Sequence, residues 1–359
     1  MFTADLHNDL VQRILAGEDL TTLTEVGHTD IPRLQSSIID MEVLIVWVSN
    51  KKEPNGFFYN AKLMYDKIVE LDDENIIFPK SLNDIDTGIR NNKLLLPIAI
   101  EGGESIENNI NNLQYFIERG LFYLGPTWNH SLDWVSSGYD ETYNKSKLKS
   151  YGLNKFGEEV VKTCEENKVL IDVSHIGEKS FWDLASISSK PFIASHSSVY
   201  KLCPHFRNLK DNQIKEIKKK KGLIGLNPYP FFIDPHFKHK EERHRKKFID
   251  ELKLIEEKHI DKTNRWIAKQ HFLQKKLNSI TPSIEVYIDH IDYVVKLIGI
   301  DYVGVGSDYD GLDCLPNGWK DCKDHILILE KLDSRGYKQK EILKVMGNNI
   351  LRVLEEINY

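Results

Sequence analysis

Five side chains of the types that bind metal ions stand at the ends of short apolar runs. They are His7, Asp9, Glu101, His175 and His196. Short apolar runs that are each followed by polar residues are typical of buried strands. In a parallel barrel the carboxyl ends of all strands meet at one mouth. The pattern therefore predicts a metal site of carboxylates and neutral imidazoles, which suit zinc, although manganese, cobalt and iron also accept such ligands.

The spacing of the first two residues suits a shared ion. Side chains two apart on a strand point the same way, so His7 and Asp9 can bind one metal together; on its own the pair also fits a surface turn. Glu101 ends an apolar run and precedes Gly102 and Gly103. A buried unpaired carboxylate is costly, so a cation partner is expected. We interpret Glu101 as a bridge between two divalent ions, which would otherwise repel each other.

Two histidines and an aspartate extend this site. His175 and His196 follow consecutive apolar runs, each directly after a serine. One βα unit separates them, so they are expected side by side as ligands of a second ion. Asp308 follows the last predicted strand and would face the metals across the barrel. The alternative for Asp308 is a helix cap, a role that Asp310 or Asp313 could take instead.

Eight apolar runs recur along the chain, with amphipathic segments between them. This alternation is typical of βα units, and runs that are apolar throughout indicate strands buried on both faces. We predict an α/β fold, a TIM (β/α)8 barrel of the metal-dependent hydrolase type, as one catalytic domain over residues 1–359. The predicted strands are 2–6, 42–48, 94–100, 122–126, 169–173, 192–194, 223–226 and 302–305, and the predicted helices include 108–119, 154–167, 179–186 and 211–220.

The alternation stops between residues 234 and 282, where the sequence becomes highly charged and helical. We predict a helical insertion there, after strand seven. On the catalytic face it could serve as a lid or as a dimer contact, and both alternatives stay open. Residues 337–356 are predicted as a helix that covers the outside of the barrel. Irregular spacing among charged residues favours a solvated helix face over a metal store for the histidines of the insertion, which are His236, His239, His244, His259 and His271.

Composition excludes several classes of protein. The net charge of -6 argues against a nucleic-acid binder, which usually carries a clustered basic excess. No apolar run approaches the roughly 20 residues that span a bilayer, so no membrane partner is expected. The first predicted strand lies too close to Met1 for a signal peptide, and the four cysteines form no CxxC pair. These points predict a cytoplasmic protein with reduced thiols.

The segments that carry the candidate residues form an ordered set across the chain. They are DLHNDL at 5–10, IEGG at 100–103, DVSH at 172–175, SHS at 195–197, RN at 207–208, GSDYDG at 306–311 and MGNNILRV at 346–353. Together they resemble the membrane (renal) dipeptidase family of zinc peptidases, peptidase family M19. The resemblance implies a metal-dependent hydrolase barrel, two zinc ions per chain and hydrolysis of dipeptides, in some members with a D-residue at the C-terminal side. It is also compatible with a homodimer.

The resemblance assigns roles to the metal ligands. A hydroxide that bridges the two zinc ions would attack the peptide carbonyl, and Asp308 would pass its proton toward the leaving amine. The ligands would be His7 and Asp9 for the first ion, His175 and His196 for the second, and Glu101 for both.

The resemblance also implies substrate contacts. Arg207 would bind the C-terminal carboxylate of the substrate, which suits a planar guanidinium. Without the family, a surface salt bridge is an equally good interpretation of this arginine. Tyr229 matches a tyrosine that contacts the substrate.

The segment after strand four departs from the family pattern. Relatives such as the renal enzyme have a histidine there that can polarise the scissile carbonyl, whereas this chain has Trp128. Either His130 substitutes from two residues along, or Trp128 only shapes the pocket and another group contacts the oxyanion. Asn129 lies between them and is a third candidate for substrate binding. Loss of one such donor commonly costs about 10²–10³ in rate.

The sequence is compatible with three functions. We expect a zinc metallopeptidase that hydrolyses dipeptides, with Asp308 and Glu101 as its catalytic residues. The runner-up is a related binuclear metal amidohydrolase that acts on another small amide, lactam or ester. The third is a catalytically silent barrel used for binding, which would require that no metal is bound.

Overall fold

The computed structural model describes residues 1–48 and 55–359. Its centre is a barrel of eight parallel strands, in which β1 pairs with β2 and β8, β2 with β3, and the rest follow in chain order. A parallel bridge between Asp172 and Ile193 closes the ring between β5 and β6. The predicted TIM barrel is confirmed. The strands are β1 Ala4–Asn8, β2 Met41–Trp47, β3 Ile98–Glu101, β4 Leu121–Gly125, β5 Leu170–Ile171, β6 Ile193–Ala194, β7 Leu223–Leu226 and β8 Val303–Val305.

The prediction of a single strand over 94–100 is wrong. The structure has a short strand, Leu94–Leu95, which pairs with β2 and with the unpredicted strand Ile76–Ile77, and β3 begins only at Ile98. Pro97 lies at the break, and proline has no backbone N–H to donate to a neighbouring strand. The ends of β1 and β3 also differ from expectation, since His7 and Glu101 lie within their strands and not after them.

Helices surround the barrel, and the helices predicted over 108–119, 154–167, 179–186 and 211–220 are present with small shifts at their ends. Asn109 and Asn154 begin two of them by accepting backbone N–H groups of the first turn. The helices are α1 Val11–Leu15, α2 Ile31–Ser36, α3 Phe57–Val69, α4 Leu82–Arg90, α5 Ile110–Arg119, α6 Gly138–Tyr143, α7 Lys155–Glu166, α8 Glu178–Ile187, α9 Asp211–Lys219, α10 Pro230–Ile233, α11 Phe237–Arg245, α12 Ile249–Lys258, α13 Lys262–Leu277, α14 Ile284–Ile298, α15 Ile326–Ser334, α16 Gln339–Leu343 and α17 Asn349–Ile357.

The helix predicted over 337–356 is interrupted. A π-helical turn, Lys344–Asn348, separates α16 from α17. Gly347 lies in this turn, where a Cβ atom would stand 2.6 Å from the carbonyl oxygen of Phe2, so the close approach requires glycine. Residues of α17 belong to one buried cluster with Phe2, Ala4 and Met41, at the amino-terminal ends of the strands. The candidate metal site lies at the opposite, carboxyl-terminal ends of the strands.

Helices α11 to α13, hereafter the inserted helices, follow β7 as expected. They have an apolar core of their own, which also takes in Cys314 from the loop after β8. His239 is largely exposed, in keeping with a solvated face. Among the described residues, no helix combines the length and apolar character needed to cross a membrane.

Candidate metal centre

The predicted metal ligands converge at the carboxyl end of the barrel. The carboxylate oxygen Oε1 of Glu101 lies 3.5 Å from His7 Nε2, 2.9 Å from His175 Nε2 and 3.3 Å from His196 Nε2. Asp9 Oδ2 lies 3.7 Å from His7 Nε2. Each of these residues is less than a tenth exposed. Strands far apart in sequence thus bring the five side chains to one point.

Asp308 joins this cluster. Ligand atoms of His7, Asp9 and Asp308 lie within 4.8 Å of one another, as do those of His7, Glu101 and His196. The backbone of Asp308 is left-handed, with φ of 59°, and its N–H donates to the carbonyl of His7 at 3.0 Å. The loop after β8 is thereby tied to β1. His7 belongs to both groups, so it stands between two candidate ion positions.

Hydrogen bonds fix the proton of each imidazole on Nδ1. The hydroxyl of Tyr123 donates to the Leu6 carbonyl at 2.9 Å, so it accepts from His7 Nδ1 at 2.8 Å. The hydroxyl of Ser195 donates to Asp172 at 2.7 Å and accepts from His196 Nδ1, also at 2.7 Å. The Nε2 lone pairs of His7 and His196 therefore face the cluster of metal ligands.

The third imidazole is held in the same way. His175 Nδ1 lies 3.3 Å from Asn129 Oδ1, an oxygen that can only accept. His175 Nε2 and His196 Nε2 are 3.1 Å apart. Burial, together with the positive charge of Arg207, lowers the pKa of both well below its ordinary value of 6.5. Two neutral nitrogens whose lone pairs face each other at this distance suit a metal ion between them.

The donor set fits divalent cations. Within the described part of the chain, His7 Nε2 and Glu101 Oε1 are buried and have no hydrogen-bond partner. Burial raises the pKa of Asp9 well above its ordinary value, and the nearby Asp308 raises it further. Burial and the charge of Asp9 do the same to the pKa of Glu101. Buried carboxylates crowded in this way are destabilising unless a cation compensates them.

A cavity of about 360 Å³ opens above the cluster. Arg207, Tyr229, Trp128 and Asn129 line it together with Asp9, Glu101, His175, His196 and Asp308. His130 is a described residue that does not line this cavity; its ring packs 5.6 Å from that of Trp128. The Trp128 ring also contacts Trp47, with ring centres 4.9 Å apart. Trp128 is thus a wall of the cavity.

Arg207 is a buried cation beside the cluster. It is 5% exposed, its Nη2 donates to the His196 carbonyl at 3.3 Å, and its guanidinium lies 5.5 Å from the centre of the Phe232 ring. Among the described residues, its Nη1 has no hydrogen-bond partner. Burial lowers its pKa to about 10, which leaves it charged at neutral pH. The surface salt bridge considered for Arg207 is therefore wrong.

Comparison with known proteins identifies the family. The sequence model of the membrane dipeptidase family, peptidase family M19, matches residues 1–359. The chain belongs to this family. Its members include metallo dipeptidases, so membership implies bound metal ions. The resemblance seen in the sequence is confirmed.

Individual proteins are similar to most of the chain. An uncharacterized protein in the pqqA 5′ region of Klebsiella pneumoniae is 30% identical over 269 residues, which make up 75% of this chain and 84% of that protein. The dipeptidase tcpJ of Claviceps purpurea is 24% identical, over 98% of this chain and 76% of its own. A Rhodobacter sphaeroides metallo peptidase, solved with a phosphinate mimic of L-Ala-D-Ala, matches 99% of both chains with a TM-score of 0.79 at 20% identity, and so shares the fold.

Several residues of this M19 site were not found from the sequence. Tyr123, Ser195 and Asp172 set the tautomers, and Asn227 donates to Asp308 Oδ2 at 2.9 Å. The only sequence signal for these partners was the serine directly before His175 and the one before His196. Tyr123 and Asn227 lie far in sequence from the residues that they bind, so spacing does not reveal them.

The two aspartates considered as helix caps have other roles. Asp310 accepts the backbone N–H of His28 at 2.7 Å and pairs with the buried Arg13 at 3.3 Å. Asp313 accepts the hydroxyl of Tyr229 at 2.9 Å. Both aspartates therefore hold side chains and loops around the metal cluster.

Proposed function

We propose that this chain is a zinc dipeptidase that hydrolyses the peptide bond of dipeptides, including L-D as well as L-L pairs. One observation carries the proposal. The metal-ligand residues and the buried Arg207, whose Nη1 has no hydrogen-bond partner in the described part of the chain, line the same cavity of about 360 Å³. This volume is near the lower end of the roughly 300–1,000 Å³ found for small-molecule sites, which suits a dipeptide better than a longer peptide.

His7 and Asp9 would hold the first of two zinc ions, and His175 and His196 the second. Glu101 would bridge them, because its Oε1 already lies close to all three imidazoles. When bound, such ions polarise a carbonyl and lower the pKa of water, which makes water a nucleophile at neutral pH. The Nδ1 partners orient the imidazoles before any ion binds, which reduces the entropy lost on binding.

Asp308 is proposed to move the proton. Its Oδ2 is bound by Asn227, which leaves Oδ1 to take a proton from the attacking water and deliver it to the leaving amine. Burial raises the pKa of Asp308 to about 6, while the Asn227 hydrogen bond and Arg207 oppose the rise. A group with a pKa near the working pH can both accept and release a proton.

Arg207 is proposed to bind the C-terminal carboxylate of the substrate. Its planar guanidinium suits a carboxylate, its Nη1 is unpaired within residues 1–48 and 55–359, and a buried charge without a partner is costly. Because Arg207 and the metal ligands line the same small cavity, this contact would limit the substrate to very short peptides. Trp128, Asn129 and Tyr229 would complete the walls around the dipeptide.

We also propose a cellular location and a state of assembly. All four cysteines are free thiols, which suits action in the cytoplasm. A homodimer and the domain boundaries, with an insertion over 234–282 in a single domain of 1–359, stay predictions. Cell fractionation, light scattering and limited proteolysis test them.

The experiment that tests the function combines metal quantification with hydrolysis of a panel of L-L and L-D dipeptides. We expect bound zinc, cleavage of dipeptides and strong loss of kcat in Asp308→Asn. If Asp308→Asn and the wild type hydrolyse equally, the proton-transfer assignment fails. Zinc-loaded protein that cleaves small amides, lactams or esters but no dipeptide would favour the related amidohydrolase instead.

A further inference from the structure

Asp313 connects the inserted helices to the wall of the cavity. It lies in the loop after β8, and its side chain is 13% exposed. Its Oδ1 accepts the hydroxyl of Tyr229 at 2.9 Å, and Tyr229 lines the catalytic cavity. Its Oδ2 faces Nη2 of Arg245, on α11, at 3.8 Å. One carboxylate therefore contacts both the insertion and a residue of the substrate cavity.

Arg245 is itself held in place. Its Nε donates to the carboxylate of Glu241, one turn earlier on α11, and Glu241 is buried. The apolar core of the inserted helices includes Cys314, next to Asp313, and Tyr229 packs against that core. The insertion, Asp313 and the back of Tyr229 are thus one packed unit.

A second link runs from α13 to the same loop. Gln270 Nε2 lies 3.4 Å from the carbonyl of Gly311, which lines the cavity, and Gln274 Nε2 lies 3.2 Å from His28. His28 in turn accepts the backbone N–H of Asp310 at 2.9 Å. The inserted helices therefore hold the loop that carries Asp313 at more than one place.

The position of Tyr229 matters for Arg207. The Tyr229 ring packs on Phe232 with ring centres 5.0 Å apart, and the Phe232 ring supports the Arg207 guanidinium. A shift of Tyr229 would therefore move the support of the proposed carboxylate-binding group. The proton of the Tyr229 hydroxyl is donated to Asp313, so this hydroxyl can offer only lone pairs to the cavity.

We propose that Asp313, held by Arg245 of the inserted helices, is a positioning residue that fixes Tyr229 and, through Phe232, the carboxylate end of the substrate cavity. The inference rests on the proposed function and deepens it, because it gives the inserted helices a part in substrate binding. It predicts an effect on KM more than on kcat, since Asp313 contacts the cavity wall and not the metal cluster.

A double-mutant cycle with Asp313→Asn and Tyr229→Phe tests the proposal. We expect Asp313→Asn to raise KM for a dipeptide about 3- to 10-fold, with kcat within about 2-fold, because the neutral amide accepts a weaker hydrogen bond from Tyr229 than the carboxylate and loses the charge that faces Arg245. In the Tyr229→Phe background, Asp313→Asn should change KM by less than about 1.5-fold, because the partner is already absent. Independent, multiplicative effects on KM would overturn the proposal.

Arg245→Gln provides a second route if Asp313→Asn does not fold. It should raise KM in the same direction and lose that effect in the Tyr229→Phe background. Arg243→Gln is the matched control, because Arg243 lies on the same helix, is exposed, and donates to the His239 carbonyl. Unchanged KM in Arg245→Gln would contradict the role of the inserted helices.

Metal content and thermal unfolding are measured on every variant. Metal content equal to that of the wild type, with KM raised, separates positioning from damage to the metal centre. Wild-type protein that cleaves no dipeptide contradicts the proposed function, and this inference with it. Active wild type with unchanged KM in Asp313→Asn contradicts the inference alone.

Discussion

The metal cluster and the wall of the substrate cavity are built by different means. His7 and Glu101 lie within strands, and each imidazole is fixed by a hydrogen bond to its far nitrogen. Arg207 and Tyr229 instead lie in loops, and aromatic stacking and the inserted helices support them. Residues in or directly after barrel strands are held by the hydrogen bonds of the barrel, whereas longer loops vary more between relatives. The difference suggests that chemistry and specificity can be altered separately.

The largest effect is expected from Glu101→Gln, which removes the shared carboxylate charge. We expect kcat/KM to fall by about 10³-fold or more, because the neutral amide no longer compensates two cations. Bound metal, measured by elemental analysis, should fall as well. Glu159→Gln, on the exposed face of α7, is the matched control. Full metal content and activity in Glu101→Gln would contradict a shared ligand.

Arg207→Lys tests the cavity wall without touching a metal ligand. We expect KM for dipeptides to rise about 10- to 100-fold, because a charged hydrogen-bonded pair is worth about 1.5–3 kcal/mol and lysine lacks the planar fork. Metal content should not change. The wild type should also prefer free dipeptides over dipeptide amides, and the variant should lose that preference. An unaltered preference would show that Arg207 does not bind the carboxylate.

Ser195→Ala tests whether tautomer control matters. The change removes the acceptor of His196 Nδ1 without removing a ligand. We expect metal affinity, measured by competition with a chelator, to weaken about 10-fold, the lower end of what outer partners of metal ligands contribute. Ser186→Ala, on the exposed end of α8, serves as control. Equal affinities would mean that the protein scaffold alone orients His196.

His130→Ala is expected to have the smallest effect. His130 does not line the cavity among the described residues, so kcat should stay within about 2-fold of the wild type, whereas loss of an oxyanion contact would cost about 10² or more. Steady-state kinetics of the variant and the wild type with one dipeptide measure this difference in kcat. A large fall in kcat at constant metal content would restore His130 as the substitute for the strand-four histidine.

The sequence predicted the metal ligands better than it predicted the wall of the substrate cavity. His7, Glu101, His175 and His196 could be found because each stands at the end of an apolar run, and strand direction then gives the geometry. Apart from the serine before His196, the hydrogen-bond partners of these ligands could not be found from the sequence. Tyr123 reaches His7 across 116 positions of sequence, and nothing local marks that contact.

The break at Pro97 and the π-helical turn at Gly347 show a second limit. From the apolar pattern alone, residues 94–100 are predicted as one strand and residues 337–356 as one helix. The missing N–H of proline interrupts the first, and close packing of Gly347 on Phe2 accompanies the second. Both depend on hydrogen bonding or packing between elements, which hydrophobic periodicity does not report.

The decisive measurement for the proposed zinc dipeptidase is zinc stoichiometry and dipeptide hydrolysis on one sample, before and after chelation. A zinc dipeptidase should hold two zinc ions per chain, lose hydrolysis when a chelator removes them, and recover it when zinc is returned. Hydrolysis that persists after complete removal of metal, or purified protein that binds no divalent metal, would contradict the proposed function.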